Sequence, residues 1–426
     1  MKRIIFLFKV LFLAGGTFAA NGDLPQTLAE LNHWYIEPPV GSNAATFFLQ
    51  GIAALKITRA DWGSTNLPLV GDGTLPPLGS SIPRGEKIVI DKFVRRNQSA
   101  LPFFEQGAER EQSRYPIDLT QGENTKLSHL AGIKQAEQFL QLAAISQAEA
   151  GQGREAGESV LISFGLARSL EAEPVLISQL VRMACITLAR STLEQTVNRV
   201  ALPPEMLDRL QESLKQIEQH QVIGVGYTRW LVGERINGLS LFDLSREKLS
   251  EVLLFDEESV KKFADESEAK LKADRLFYAE SFDQALVEQT RNPAQFLKAS
   301  KNFPTRSEEA DKRGFVVSSY FLSTLAKAIF LEARCLANLR LAHSAIALER
   351  FRAAHDGLYP EYLSELSDYL PVVPQDPFSP GVSLKYHKKG DGYLLYSIGS
   401  DLKHDSGNRK SDVVFEVVNP PKLSRP

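Results

Sequence analysis

Residues 127–150 read LSHLAGIKQAEQFLQLAAISQAEA, and their spacing decides the fold class. Leu127, Leu130, Ala136, Phe139, Leu140 and Ala143 recur at three- and four-residue intervals, which lines one face of an α-helix. GQGREAG (151–157) breaks the pattern, with Gly151 placed to end the helix in the left-handed conformation that glycine adopts freely. ESVLISFGLARSL (158–170) is the return helix, and EAEP closes it because Pro174 cannot stand in a helix interior. VLISQLVRMACITLARSTLEQTV (175–197) and PPEMLDRLQESLKQIEQH (203–220) follow as two more helices, the last with Pro203 and Pro204 at its start. Short loops between long helices pack them antiparallel. The fold class is therefore mainly α, an antiparallel array of helix hairpins in the tetratricopeptide manner.

Working outward, WYIEPPVGSNAA (34–45) is an extended Pro-Pro segment whose Asn43 is placed to cap a helix over ATFFLQGIAALK (45–56). Residues 59–85 are dense in Gly and Pro and read as a loop, followed by a charged helical stretch from Glu86 to about Arg114. Within the polar region 246–313 the strongest helix is LKADRLFYAESFDQALVEQ (271–289). Residues 315–355 then form one long helix, the spine of a C-terminal module. Its Lys327 and Glu332 are too polar for a membrane span. Beyond it the pattern changes to period two. VSLKYHKKGDGYLLYSIGS (382–400) holds two alternating runs joined at Gly390-Asp391, a hairpin, and SDVVFEVV (411–418) adds a third strand to a small antiparallel β-sheet. The expected organisation is a signal peptide at 1–19, a helical and loop segment at 20–125, the array at 126–313, and the long helix with its β-module at 314–426.

The chain has 426 residues, 43% of them hydrophobic and 24% charged, with a formal charge of −3. That balance argues against a general affinity for nucleic acid or for anionic membranes. MKRIIFLFKVLFLAGGTFAA (1–20) has a basic start, a short apolar core and a Thr17-Phe18-Ala19 cleavage triplet. It reads as a secretory signal, or alternatively as an uncleaved anchor at the membrane periphery. Export to the periplasm or cell envelope is expected. Cys185 and Cys335 are the only cysteines, and both lie in apolar helical patterns. They are either a disulfide or two buried thiols.

No catalytic constellation stands in the sequence. The seven histidines form no HExxH or HxH pattern, and GxSxG and Walker loops are missing. Trp230, Glu234 and Arg235 could line a pocket in the helical body, the basis of an enzyme alternative, although helical neighbours of this kind commonly form ion pairs. Asp401, Asp405 and Asp412 are better placed, in a loop rich in Gly and Ser after the hairpin. A hard cation such as calcium takes six to eight oxygens from such carboxylates and carbonyls, and a hydrated turn is the other reading.

The segment ALERFRAAHDGLYPEYLSELSDYLP…VPQDPFSPGVSLKYHKKGDGYLLYSIGSDLKHDSG (347–407) resembles the C-terminal region of the type II secretion major pseudopilins. Gly357, Tyr359, Pro360, Pro374, Asp376, Pro377, Phe378, Tyr393, Tyr396, Ser397, Gly399 and Asp401 carry the resemblance. It covers about the last fifth of the chain and implies a shared C-terminal fold. A Sec-like signal replaces the short leader, Arg313-Gly314-Phe315 lies inside the chain where a processing site would begin it, and Leu402 replaces a glycine after Asp401. The resemblance further implies a structural calcium ion, with Asp401 and Asp412 as ligands and Asp405 as a third. WYIEPPVGSNAA and EAEPVLISQLVRMA resemble uncharacterised exported proteins of planctomycetes and related bacteria. The reading that follows is a non-enzymatic exported scaffold with a protein partner and an oligomeric state left open. A type II secretion accessory factor is the further alternative.

Overall fold

A computed structural model of the chain describes residues 24–222, 225–253, 263, 266–287 and 302–422. The signal reading at 1–19 lies outside the described residues. The helices are α1 (Leu28–Trp34), α2 (Ala44–Ala54), α3 (Arg59–Trp62), α4 (Arg84–Asn97), α5 (Leu101–Ala108), α6 (His129–Glu149) and α7 (Gly153–Arg168). There follow α8 (Leu176–Val197), α9 (Pro204–Val222), α10 (Val225–Leu241), α11 (Arg246–Val252), α12 (Glu268–Val287), α13 (Asn302–Arg313) and α14 (Val316–Ala354). A short 3-10 turn at Leu363–Leu366 leads to β1 (Lys385–Lys389), β2 (Gly392–Ser397) and β3 (Val413–Val417). The chain is mainly helical with a small antiparallel three-stranded sheet at its C-terminal end.

The local rules hold where they are strongest. Gly151 ends α6 at φ +76, its N–H bonding to Ala148 and that of Gln152 to Gln147, the paired closure that satisfies the last helical carbonyls. Asn43 caps α2 by accepting from Ala45 N. One difference is instructive. The charged stretch from Glu86 is not one helix but α4, a 3-10 turn at Gln98–Ala100 and α5. Asn97 is fully buried there, donating to Phe93 O and accepting from Lys56 N, so its side chain serves the preceding loop as well as the helix end. Pro102 then stands at the start of α5, where its missing N–H costs little.

The largest core cluster draws on residues from Leu31 to Val417, joining α2, α4–α9, the C-terminal half of α14 and the sheet. A second gathers aromatic residues of α10 and α12 around the N-terminal half of α14. The long helix therefore runs through both, as expected of a spine. Its N-terminus is capped from outside: the Asp274 carboxylate accepts from Val317 N at 3.0 Å and Ser318 N at 3.1 Å. Cys185 and Cys335 are both free and buried, which settles the two thiol readings. Burial pushes the Cys335 thiol up to about 12, so it stays protonated and packs as a small hydrophobe.

Candidate metal centre

The sheet has the order β1-β2-β3, both pairs antiparallel. Tyr393 and Leu395 are fully buried. On the opposite face, Leu394 and Tyr396 lie beneath the loop that joins β2 to β3. Tyr396 Oη is 3.1 Å from His404 Nε2, and the Gly407 backbone lies so close to Leu394 that a Cβ would sit 2.8 Å from it. The loop is thus a cover for the outer face of the sheet, and whatever closes the loop protects that face.

Asp401, Asp405 and Asp412 gather within this loop. One carboxylate oxygen from each lies within 4.8 Å of one from each of the others. Two ligands of one calcium ion, each at about 2.4 Å, can lie no farther apart than about 4.8 Å, and each pair of these oxygens meets that limit. Asp401 and Asp405 are exposed, whereas Asp412 is buried. Local geometry fixes each of them. Asp401 Oδ1 accepts from Lys403 N at 3.1 Å, Asp405 Oδ2 accepts from Ser411 Oγ at 2.7 Å, and Asp412 Oδ2 accepts from Gly407 N at 2.8 Å and Asn408 N at 3.0 Å. The other oxygen of Asp412 is buried with no hydrogen-bond partner. A buried carboxylate oxygen left bare is costly.

Burial raises the Asp412 carboxyl above the usual range against the pull of its two backbone N–H donors, and the charges of Asp405 and Asp401 raise it further. Leu402 follows Asp401 at φ +60, and Ser406 and Gly407 are at +56 and +83. Leu402 thus stands in the left-handed conformation that glycine adopts freely. Gly399, at φ +70, has no room for a Cβ, which would meet Ser411 O at 2.1 Å.

Asp376, a further residue of the resemblance, is no ligand. It is buried and accepts from Phe378 N, Ser397 Oγ and Ile398 N at 2.7–2.9 Å, tying the Pro-rich connection to the end of β2. Tyr359 likewise donates to Glu349 Oε1 at 2.6 Å and stands edge-on to Tyr393, fixing the spine to the sheet.

Sequence reasoning missed the contact that joins module and helical body. The outer edge of β3 is read by side chains of α8. Arg190 Nη1 donates to Val414 O at 2.5 Å, Glu194 Oε1 accepts from Glu416 N at 2.7 Å, and the Asn198 amide donates to Glu416 O and accepts from Val418 N. A helix thus supplies the hydrogen bonds of a missing strand. Arg409, from the covering loop, reaches Glu194 at 2.8 Å and anchors that loop beside the acidic triad. The only signal was the four-residue spacing of Arg190, Glu194 and Asn198, which sets them on one side of the helix and at its C-terminal end.

Trp230, Glu234 and Arg235 do not converge. Trp230 is buried and donates to Glu332 Oε1 at 3.3 Å, within a buried network that includes Arg182 and Gln221. Glu234 caps α8 by accepting from Leu176 N at 3.1 Å, and burial pushes its carboxyl up to about 7. Arg235 pairs with Asp283 at 2.7 Å.

No protein-family model matches the chain, and no curated protein or solved structure matches it either.

Proposed function

We propose that the chain is an exported, non-enzymatic scaffold for protein partners, working at the periplasm or cell envelope, whose pseudopilin-like C-terminal module is clamped by calcium. The carrying observation is that Asp412, which gathers with Asp401 and Asp405 in the loop that covers the sheet, keeps one buried oxygen without a partner. Calcium there would take the carboxylates of Asp401, Asp405 and Asp412 and supply no chemistry beyond neutralising them and holding the loop on Leu394 and Tyr396. The helix hairpins, as a tetratricopeptide-like array, would present the binding surface, and the α8 contacts to β3 would hold the module on it.

The structural engagement of Trp230, Glu234 and Arg235 favours this reading over a catalytic site in the helical body. Thermal unfolding with excess calcium and with chelator tests it. Calcium at about a hundred times its dissociation constant raises stability by roughly 2.7 kcal/mol, and Asp401→Ala reduces the shift. Identical melting in calcium and chelator would remove the clamp.

A further inference from the structure

The two edges of the sheet are treated differently. The outward groups of β3 are taken by α8, as described above. Because Glu416 turns its N–H and C=O outward, its opposite residue Leu394 turns its own toward β1, where it faces His387. By the same alternation Tyr386 and Lys388 direct their backbone groups away from the sheet. That edge borders a groove of about 520 Å³, bounded on its far side by Glu361 and Tyr362. Tyr362 is 72% exposed, and the Tyr386 side chain reaches across to Pro360 O at 2.7 Å.

We propose that the free edge of β1 accepts an extended acidic segment of a partner protein as a fourth strand. Charge selects the occupant. Lys385, His387 and Lys389 stand in a row on the outer face of β1, Lys389 also pairing with Glu416 at 2.8 Å, while the opposite, groove-side face carries Tyr386 and Lys388, the latter bonded to Glu361 at 2.5 Å. A strand alternating acidic and apolar residues sets its carboxylates beside the basic row and its apolar residues against Tyr386 and Tyr362. A second copy of this chain is a poor occupant, because pairing β1 with β1 sets lysines against lysines. The proposal deepens the scaffold reading and rests on it.

The probe is a short fluorescent peptide alternating Glu and Val, titrated into the full chain at low salt, with a Lys and Val peptide as control. Binding of the Glu peptide alone is expected, with slower amide hydrogen exchange over β1. Exchange over β3 is expected to be unchanged. Reversing the outer row with Lys385→Glu and His387→Glu, both at solvent-accessible positions, is expected to weaken binding about tenfold. Absence of binding, equal binding of the Lys peptide, or protection that spares β1 overturns the proposal. Melting with and without calcium tests the clamp separately, so either reading can fail alone.

Discussion

Two buried carboxylates flank the same strand and have opposite surroundings. Glu194 is 2% exposed and Asp412 is 4% exposed, so burial does not distinguish them. Glu194 is met by Arg190 at 3.0 Å, by Arg409 at 2.8 Å and by the Glu416 N–H, which together neutralise and fill it. Asp412 is met by two backbone N–H groups and two other carboxylates, and one of its oxygens has no partner. The first is a compensated structural joint, whereas the second carries a carboxylate that its neighbours leave uncompensated. Burial alone therefore does not say whether an acid's charge is compensated; its neighbours do.

The largest effect should come from opening the compensated joint. Glu194→Ala strands Arg190, only 9% exposed, and unpairs the edge of β3. A loss of about 3–5 kcal/mol is expected in urea denaturation. A loss below about 1 kcal/mol would show that the α8 joint is peripheral to stability.

A third buried acid sharpens the contrast through pH. Glu137 has Ser163 as its sole hydrogen-bond donor, its other oxygen is bare, and burial pushes its carboxyl up to about 8. Unfolded, it titrates near about 4.3. Between these values the folded chain holds a proton that the unfolded chain has released, so stability falls as pH rises. Glu137→Gln should flatten the stability profile across that window, measured by denaturation at a series of pH values. An unchanged slope would deny Glu137 that role.

The smallest effect concerns the loop itself. Leu402→Gly removes a left-handed strain of about 1–2 kcal/mol, partly offset by the greater freedom of glycine in the unfolded chain. A net gain of roughly 0.5 kcal/mol is expected in the melting of the calcium-loaded chain, and a loss would mean that the exposed Leu402 side chain contributes packing.

How far these features could be read from sequence follows the range of the interactions behind them. Periodicity at 127–150, the Gly151 closure and the Gly390-Asp391 turn are set by neighbours within one turn, and they appear where spacing puts them. The acidic triad spans Asp401 to Asp412, short enough for a loop to gather it. The edge of β3 was not legible, because Asn198 and Val418 meet across 220 residues. Nor was the break at Gln98: the burial of Asn97 and its bond to Lys56 depend on how α2 packs, which no local pattern encodes. Trp230, Glu234 and Arg235 lie within six residues yet serve three different partners: Trp230 and Glu234 share a face but stand one turn apart against different elements, and Arg235 turns to another side.

The central claim is that the Asp412 site takes a cation, and thermal unfolding of Asp412→Asn beside the natural chain tests it most directly. In chelator the variant should melt higher, because it no longer sets a third carboxylate between Asp401 and Asp405. In excess calcium the order should reverse, with the natural chain gaining stability and the variant gaining little. Curves that keep one order in both conditions, or a natural chain that ignores calcium, would contradict the account.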